Sequence, residues 1–278
     1  MPDPTPIAAF LDDHHHDMAS RFGDFARANI ATFPEPEDDA AARKQAREIL
    51  SVLGEADYFR PIADADLRAC CLAREALGAA SPLADAVFAL QGLGSLPVQL
   101  GGSEALQQRW FQPAMAGKVM AGFAMTEPQA GSDLGAMATT AVRDGDEYVL
   151  NGHKTLISNA GIADFYSVFA VTDASQGLRG LSCFVVPADA PGLRFKGAQV
   201  LSSPHPLGEL AFEDCRIPHT NHQKQRSHKP WLPRSRLQPK SGRDTPDAPT
   251  LPDWRSRVSS PKSCMTSQRR SRSVLNVP

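Results

Sequence analysis

Apolar positions recur at helical spacing through the first 119 residues, and then in short strand-type runs for about a hundred more. From Ile7 to about Ala116 the chain is rich in Ala, Leu, Arg and Glu, punctuated by turn signals. One helix is predicted from about Glu35 to Leu53, with Gly54 as its left-handed cap, and a second after Asp64, with Leu67, Cys70, Cys71 and Leu77 at helical spacing and Gly78 near its end. Ser81-Pro82 starts a third, serine capping and proline in the first position, and Ser103 caps a helix that carries Leu106, Trp110 and Phe111 inward. Gln91-Gly92-Leu93-Gly94-Ser95 lacks the preceding strand and the following Lys-Ser/Thr of a phosphate-binding loop, so it reads as the end of a helix.

At Val119 the period changes. Val142 and Tyr148-Val149-Leu150 flank Asp144-Gly145, a hairpin signal, and further runs follow at 154–157, 166–171, 181–186, 193–195 and 210–212. The predicted class is α+β: an N-terminal helical bundle over residues 1–119, an antiparallel β-barrel-like domain over 120–218, and a disordered basic tail over 219–278.

Charge separates the tail from the rest. Residues 219–278 hold 13 Lys and Arg against 3 Asp and Glu, with 8 prolines and 10 serines, so that segment cannot bury enough apolar surface to offset chain entropy. It reads either as a basic arm for polyanions or, the favoured reading, as the product of an altered reading frame, which makes nucleic acid an unexpected partner. Five cysteines without metal or disulfide spacing favour a reducing, cytoplasmic setting. No apolar stretch is read as long enough to cross a bilayer, and no signal peptide is read at the N-terminus. His14-His15-His16 reads as an exposed polar face, because consecutive helical residues point in different directions, and no metal is expected.

The stretch Phe123-Ala124-Met125-Thr126-Glu127-Pro128-Gln129-Ala130-Gly131-Ser132-Asp133 carries the chemistry. Phe123 and Met125 suit the face of a flat ring, while Thr126, Ser132 and the amides around Gly131 offer hydrogen bonds at its edge or to a phosphate. Some 25 to 30 residues on, Asn151-Gly152 leads into Lys154-Thr155-Leu156-Ile157-Ser158-Asn159.

Together these two motifs resemble the middle domain of the acyl-CoA dehydrogenase family, whose pattern is an aromatic residue, Met/Val-Thr-Glu-Pro-x-Ala-Gly-Ser-Asp, and then Asn-Gly-x-Lys-x-Trp-Ile-Ser/Thr-Asn. The stretches 180–187, 190–193 and 212–218 follow in the family's order. The resemblance implies FAD-dependent α,β-dehydrogenation of an acyl-CoA thioester, in fatty acid metabolism, with electron-transfer flavoprotein as a partner and a homo-oligomer weakened by a missing domain. It implies that Phe123, Ala124, Met125, Thr126, Gly131, Ser132, Leu156, Ile157 and Ser158 line the flavin, Met125 beside the ring and Thr126 at its polar edge. Ser158 would reach the flavin near its hydride-accepting nitrogen, and Ser132 would also bond the acyl-CoA. Donors near the ring nitrogens stabilise the charge of the reduced flavin.

Two departures stand out: Leu156 replaces the family's tryptophan, and 202–207 replaces a Gly-x-Arg-type stretch, with His205 read as a surface residue. The family's glutamate base belongs to a C-terminal helical domain whose pattern is not visible after Pro218, so no catalytic residue is named and activity is expected to be impaired. Two alternatives stay open, a non-enzymatic binding protein from a disrupted gene and a flavin-dependent hydroxylase of the same superfamily.

Overall fold

The computed structural model describes residues 4–201 and 205–223. The tail readings beyond Gln223 lie outside the described residues. Helices occupy the first half: α1 (Asp13–Phe25), α2 (Asp39–Glu55), α3 (Arg60–Ala63), α4 (Leu67–Ala80), α5 (Pro82–Gly101), α6 (Glu104–Leu106) and α7 (Gln112–Met115), the last two joined by a wider π-helical turn. Caps act where serine or aspartate can reach an unpaired amide: Asp38 accepts from Ala41 N–H, Asp66 from Ala69, Ser81 from Ala84 and Ser103 from Leu106.

Gly54 is not a left-handed cap. It lies inside α2, where an added Cβ would stand 2.4 Å from the Ala116 carbonyl oxygen and from the Gly117 Cα, so its job is close backbone packing. The turn past α2 instead places Asp57 at φ 52°. Gln91–Ser95 does not end a helix either; α5 runs through it, and Gly94 is small because the first strand crosses it, an added Cβ meeting Ala121 Cβ at 2.7 Å. A span-length apolar segment also exists: α5 has 20 residues with mean hydropathy 1.2, but its Leu83, Val87, Phe88 and Val98 are buried in the protein core.

The second half is β1 (Ala121–Ala124), β2 (Thr140–Asp144), β3 (Glu147–Ser158), β4 (Phe165–Val171), β5 (Leu181–Pro187), β6 (Leu193–Ala198), β7 (Leu207–Pro218) and β8 (His222–Gln223). Strand order is β6-β7-β3-β2-β4-β5-β8, with β1 also pairing β4. The hairpin falls one residue later than its signal: Asp144 pairs with Glu147, leaving Gly145 at φ 60° in the first central position, where glycine meets no steric cost.

The sheet is mixed and open rather than an antiparallel barrel. β1 and β2 both run parallel to β4 along one of its edges, Ala121–Ala124 opposite 165–168 and Thr140 opposite Val171. The hydrophobic alternation that reveals a strand says nothing of its direction. Sharing an edge also forces residues 125–139 to leave the sheet after β1 and return before β2, which is where the Thr-Glu-Pro motif sits. The start of the expected tail continues the fold: β8 pairs with β5, and Asn221 Nδ2 donates to the Val185 carbonyl at 2.8 Å.

Candidate functional site

The site begins with the anchoring of β1. Buried Gln91 of α5 donates to the carbonyls of Ala114 (2.8 Å) and Val119 (2.7 Å) and accepts from Ala121 N–H (3.0 Å), so one amide saturates three backbone groups where helix gives way to strand. Ser167 of β4 donates to the Gly94 carbonyl at 2.7 Å, and Asn159 Nδ2 donates to the Ala121 carbonyl at 2.9 Å. The two motifs are thus tied to each other and to α5.

Their main link is Lys154. Its side chain, 0% exposed, donates to Glu127 Oε1 at 2.7 Å and to the Met125 carbonyl at 3.0 Å, and Thr155 N–H donates to the Thr126 carbonyl at 3.0 Å. Glu127 also accepts from the Ala138 and Thr139 N–H groups and from Gln129 Nε2, which closes the turn. Burial pushes the Glu127 carboxyl up, but the bonds from Lys154 and these amides outweigh it and hold it below the usual glutamate range. Burial pulls the Lys154 ammonium below the usual lysine range, with Glu127 opposing. The sequence carries a signal for this pair, a lysine and a glutamate of opposite charge, one in each motif.

The predicted residues fall into three groups. Ala124 and Ile157 are buried and offer ligand contact only through neighbours or main chain. Phe123, Met125, Thr126 and Ser158 are half-buried, Phe123 packing on Phe169 with ring centroids 5.2 Å apart. Gly131, Ser132 and Leu156 are exposed. Leu156 is 53% exposed on a bulge of β3 against β7, at φ 55°, a left-handed conformation that costs a branched side chain about 1 kcal/mol or more. Its N–H is taken by Gln199 Oε1 at 2.8 Å, and Gln199 Nε2 donates to Thr155 Oγ1 and Glu209 Oε1.

This geometry fits a planar, polar-edged ligand. Among the described residues none bonds the hydroxyls of Thr126 or Ser132 or the amide N–H groups of Gly131 and Ser132, and a Cβ added at Gly131 would meet nothing within 4 Å. Open backbone, free donors and an outward apolar side chain therefore gather along one turn and one bulge that Lys154 holds together.

Other clusters are engaged in holding the fold. His15 is buried, not on an exposed face: its Nδ1 accepts from Asp12 N–H at 3.0 Å and its Nε2 lies 3.2 Å from Asp66. A ring that accepts at Nδ1 carries its proton on Nε2, so His15 has no lone pair left for a metal beside Asp12 and His14. His205 is half-buried rather than on the surface, 3.3 Å from Ser158 Oγ through Nε2. A cleft lined by Ser103, Arg143, Tyr148, His219 and His222 contains none of the motif residues.

Residues 122–215 match the family described as acyl-CoA dehydrogenase, middle domain. Cyclohex-1-ene-1-carbonyl-CoA dehydrogenase of Syntrophus aciditrophicus is 36% identical over 184 residues, 63% of this chain and 44% of that protein. The structure of butyryl-CoA dehydrogenase from Megasphaera elsdenii superposes with a TM-score of 0.67 at 28% identity, over 77% of this chain and 59% of that one. A glutaryl-CoA dehydrogenase from Mycobacterium smegmatis, solved with FADH2, gives 0.64 at 26% identity over 76% and 55% of the two chains. The chain spans about half the length of the relatives it matches.

Proposed function

From the match of residues 122–215 to the acyl-CoA dehydrogenase middle domain, we propose that the chain is a flavoprotein of that family that binds FAD along 125–132 and 156–158 and acts on an acyl-CoA thioester. The observation that carries this reading is the Lys154–Glu127 clamp, which brings the free donors of Thr126, Gly131 and Ser132 and the exposed Leu156 into one frame. FAD, when bound, supplies a hydride acceptor for the β-carbon of the thioester. The protein's own part is positional: Met125 and Leu156 offer apolar contact, Thr126 and Ser158 offer hydroxyls, and Ser132 offers a bond to the acyl-CoA.

Removal of the α-proton needs a carboxylate without a competing partner. Four of those in or near the two motifs are engaged by side chains, Glu127 with Lys154, Glu209 with His153 and Gln199, Glu213 with Arg194, and Asp214 with Asn151, while exposed Asp133 accepts from the Gly135 N–H of its own turn. The four engaged carboxylates support impaired dehydrogenation, electrons leaving through an electron-transfer flavoprotein where turnover occurs.

Reconstitution of the purified chain with FAD tests the reading. The expected result is a protein-bound flavin spectrum that bleaches slowly or not at all when acyl-CoA is added without oxygen. Failure to retain FAD overturns the proposal, and rapid bleaching overturns the impairment.

A further inference from the structure

Ser158 ends β3 with its Oγ 3.3 Å from His205 Nε2. The segment that carries the imidazole is fastened next to it, because the Pro206 carbonyl accepts from Asn159 N–H at 2.8 Å. From α2, Arg43 donates to the carbonyls of Leu207, at 2.8 Å, and Ala160. Asp39 gives Oδ2 to Arg43 while its Oδ1 is buried with no partner among the described residues. The half-buried ring thus touches a serine hydroxyl and lies in the field of one carboxylate and one guanidinium, both from α2.

A serine hydroxyl has one proton, and histidine nitrogens change role with protonation. With a proton on Nε2, His205 donates to Ser158 Oγ and the serine proton must point elsewhere. With Nε2 bare, it accepts that proton and Oγ presents only lone pairs to its other neighbours. We infer that His205 is a positioning residue that sets the direction of the Ser158 hydroxyl proton, and thereby whether Ser158 donates to the flavin edge; this second half rests on the flavin reading above.

The sign follows from the surroundings. Burial holds the His205 imidazole below the ordinary histidine value, Asp39 opposes this and Arg43 reinforces it. The ring is therefore neutral at pH 7, and only on acidification is Nε2 forced to donate and Ser158 turned outward.

Two measurements separate the halves. In the flavin-free chain, His205→Gln identifies the His205 ring signal by NMR, and Ser158→Ala is expected to shift the midpoint of its titration while Ser158→Thr, which keeps the hydroxyl, restores it. An unchanged midpoint in Ser158→Ala overturns the pairing. In the FAD-loaded chain the visible flavin bands are expected to move with pH at the His205 midpoint. In His205→Gln, whose amide has no proton to titrate, they are expected to stay fixed. Bands that move identically in both overturn the role toward the flavin. Loss of FAD binding with the NMR coupling intact overturns the flavin reading, and with it the flavin half alone.

Discussion

Lys154 Nζ lies 2.7 Å from Glu127 Oε1 with both side chains withdrawn from water, though 27 residues separate them. A buried ion pair of this kind is weak evidence of net stability, since desolvation offsets much of the attraction, but it is strong evidence of registry. Here it holds the β3 segment against the turn after β1, with the Met125 carbonyl as a third member.

Removing one partner leaves the other buried without its counter-charge. Lys154→Met is expected to destabilise the fold by about 3 to 5 kcal/mol, and the double variant with Glu127→Leu by distinctly less than the sum of the single changes. Urea denaturation at pH 7 measures both.

The same pair has a pH signature. In the wild type the folded Glu127 carboxyl titrates below its unfolded value, so its contribution is present above the ordinary glutamate range and is lost as pH falls through the depressed folded value. In Lys154→Met the unpaired carboxylate is relieved by protonation, so the deficit relative to wild type narrows as pH falls from 7 toward 4. Denaturant midpoints across that range check the slope.

Two helical glycines should respond in opposite directions to alanine. Gly54→Ala places a methyl 2.4 Å from backbone and is expected to cost about 1 to 3 kcal/mol despite its gain in helix propensity. Gly78→Ala in α4 meets nothing closer than 3.8 Å and is expected to stabilise by about 0.5 to 1 kcal/mol. Thermal or urea unfolding of the two variants decides this.

Leu156→Gly should separate fold from ligand. It relieves a left-handed leucine at little loss of burial, so stability without FAD stays within about 1 kcal/mol of wild type. Loss of the apolar contact is expected to weaken FAD binding by about 1 to 2 kcal/mol, read by quenching of flavin fluorescence.

Gln91→Leu tests the seat of β1. It leaves the carbonyls of Ala114 and Val119 and the Ala121 N–H without their partner, at a cost of about 2 to 4 kcal/mol. FAD retention is expected to fall with it, because Met125 and Thr126 follow directly from β1; denaturation and flavin titration of the same sample report the two effects.

The sequence by itself determined the starts of α5 and α6, because Ser81 and Ser103 act on amides three residues away, and it determined the β2–β3 hairpin and the motifs at 123–133 and 154–159; the cap of α4 is Asp66, two residues past the Asp64 after which that helix is predicted. These are local matters, governed by spacing, capping and turn chemistry. Tertiary structure alone decided the parallel pairing of β1 with β4, the reason for Gly54 and Gly94, the burial of His15 against Asp66, and the meetings of Lys154 with Glu127 and of Ser158 with His205. Apolar periodicity records which face of an element turns inward. It is silent on which distant backbone passes 2.4 Å away or which carboxylate waits across the sheet, because those depend on how the elements pack after each has formed.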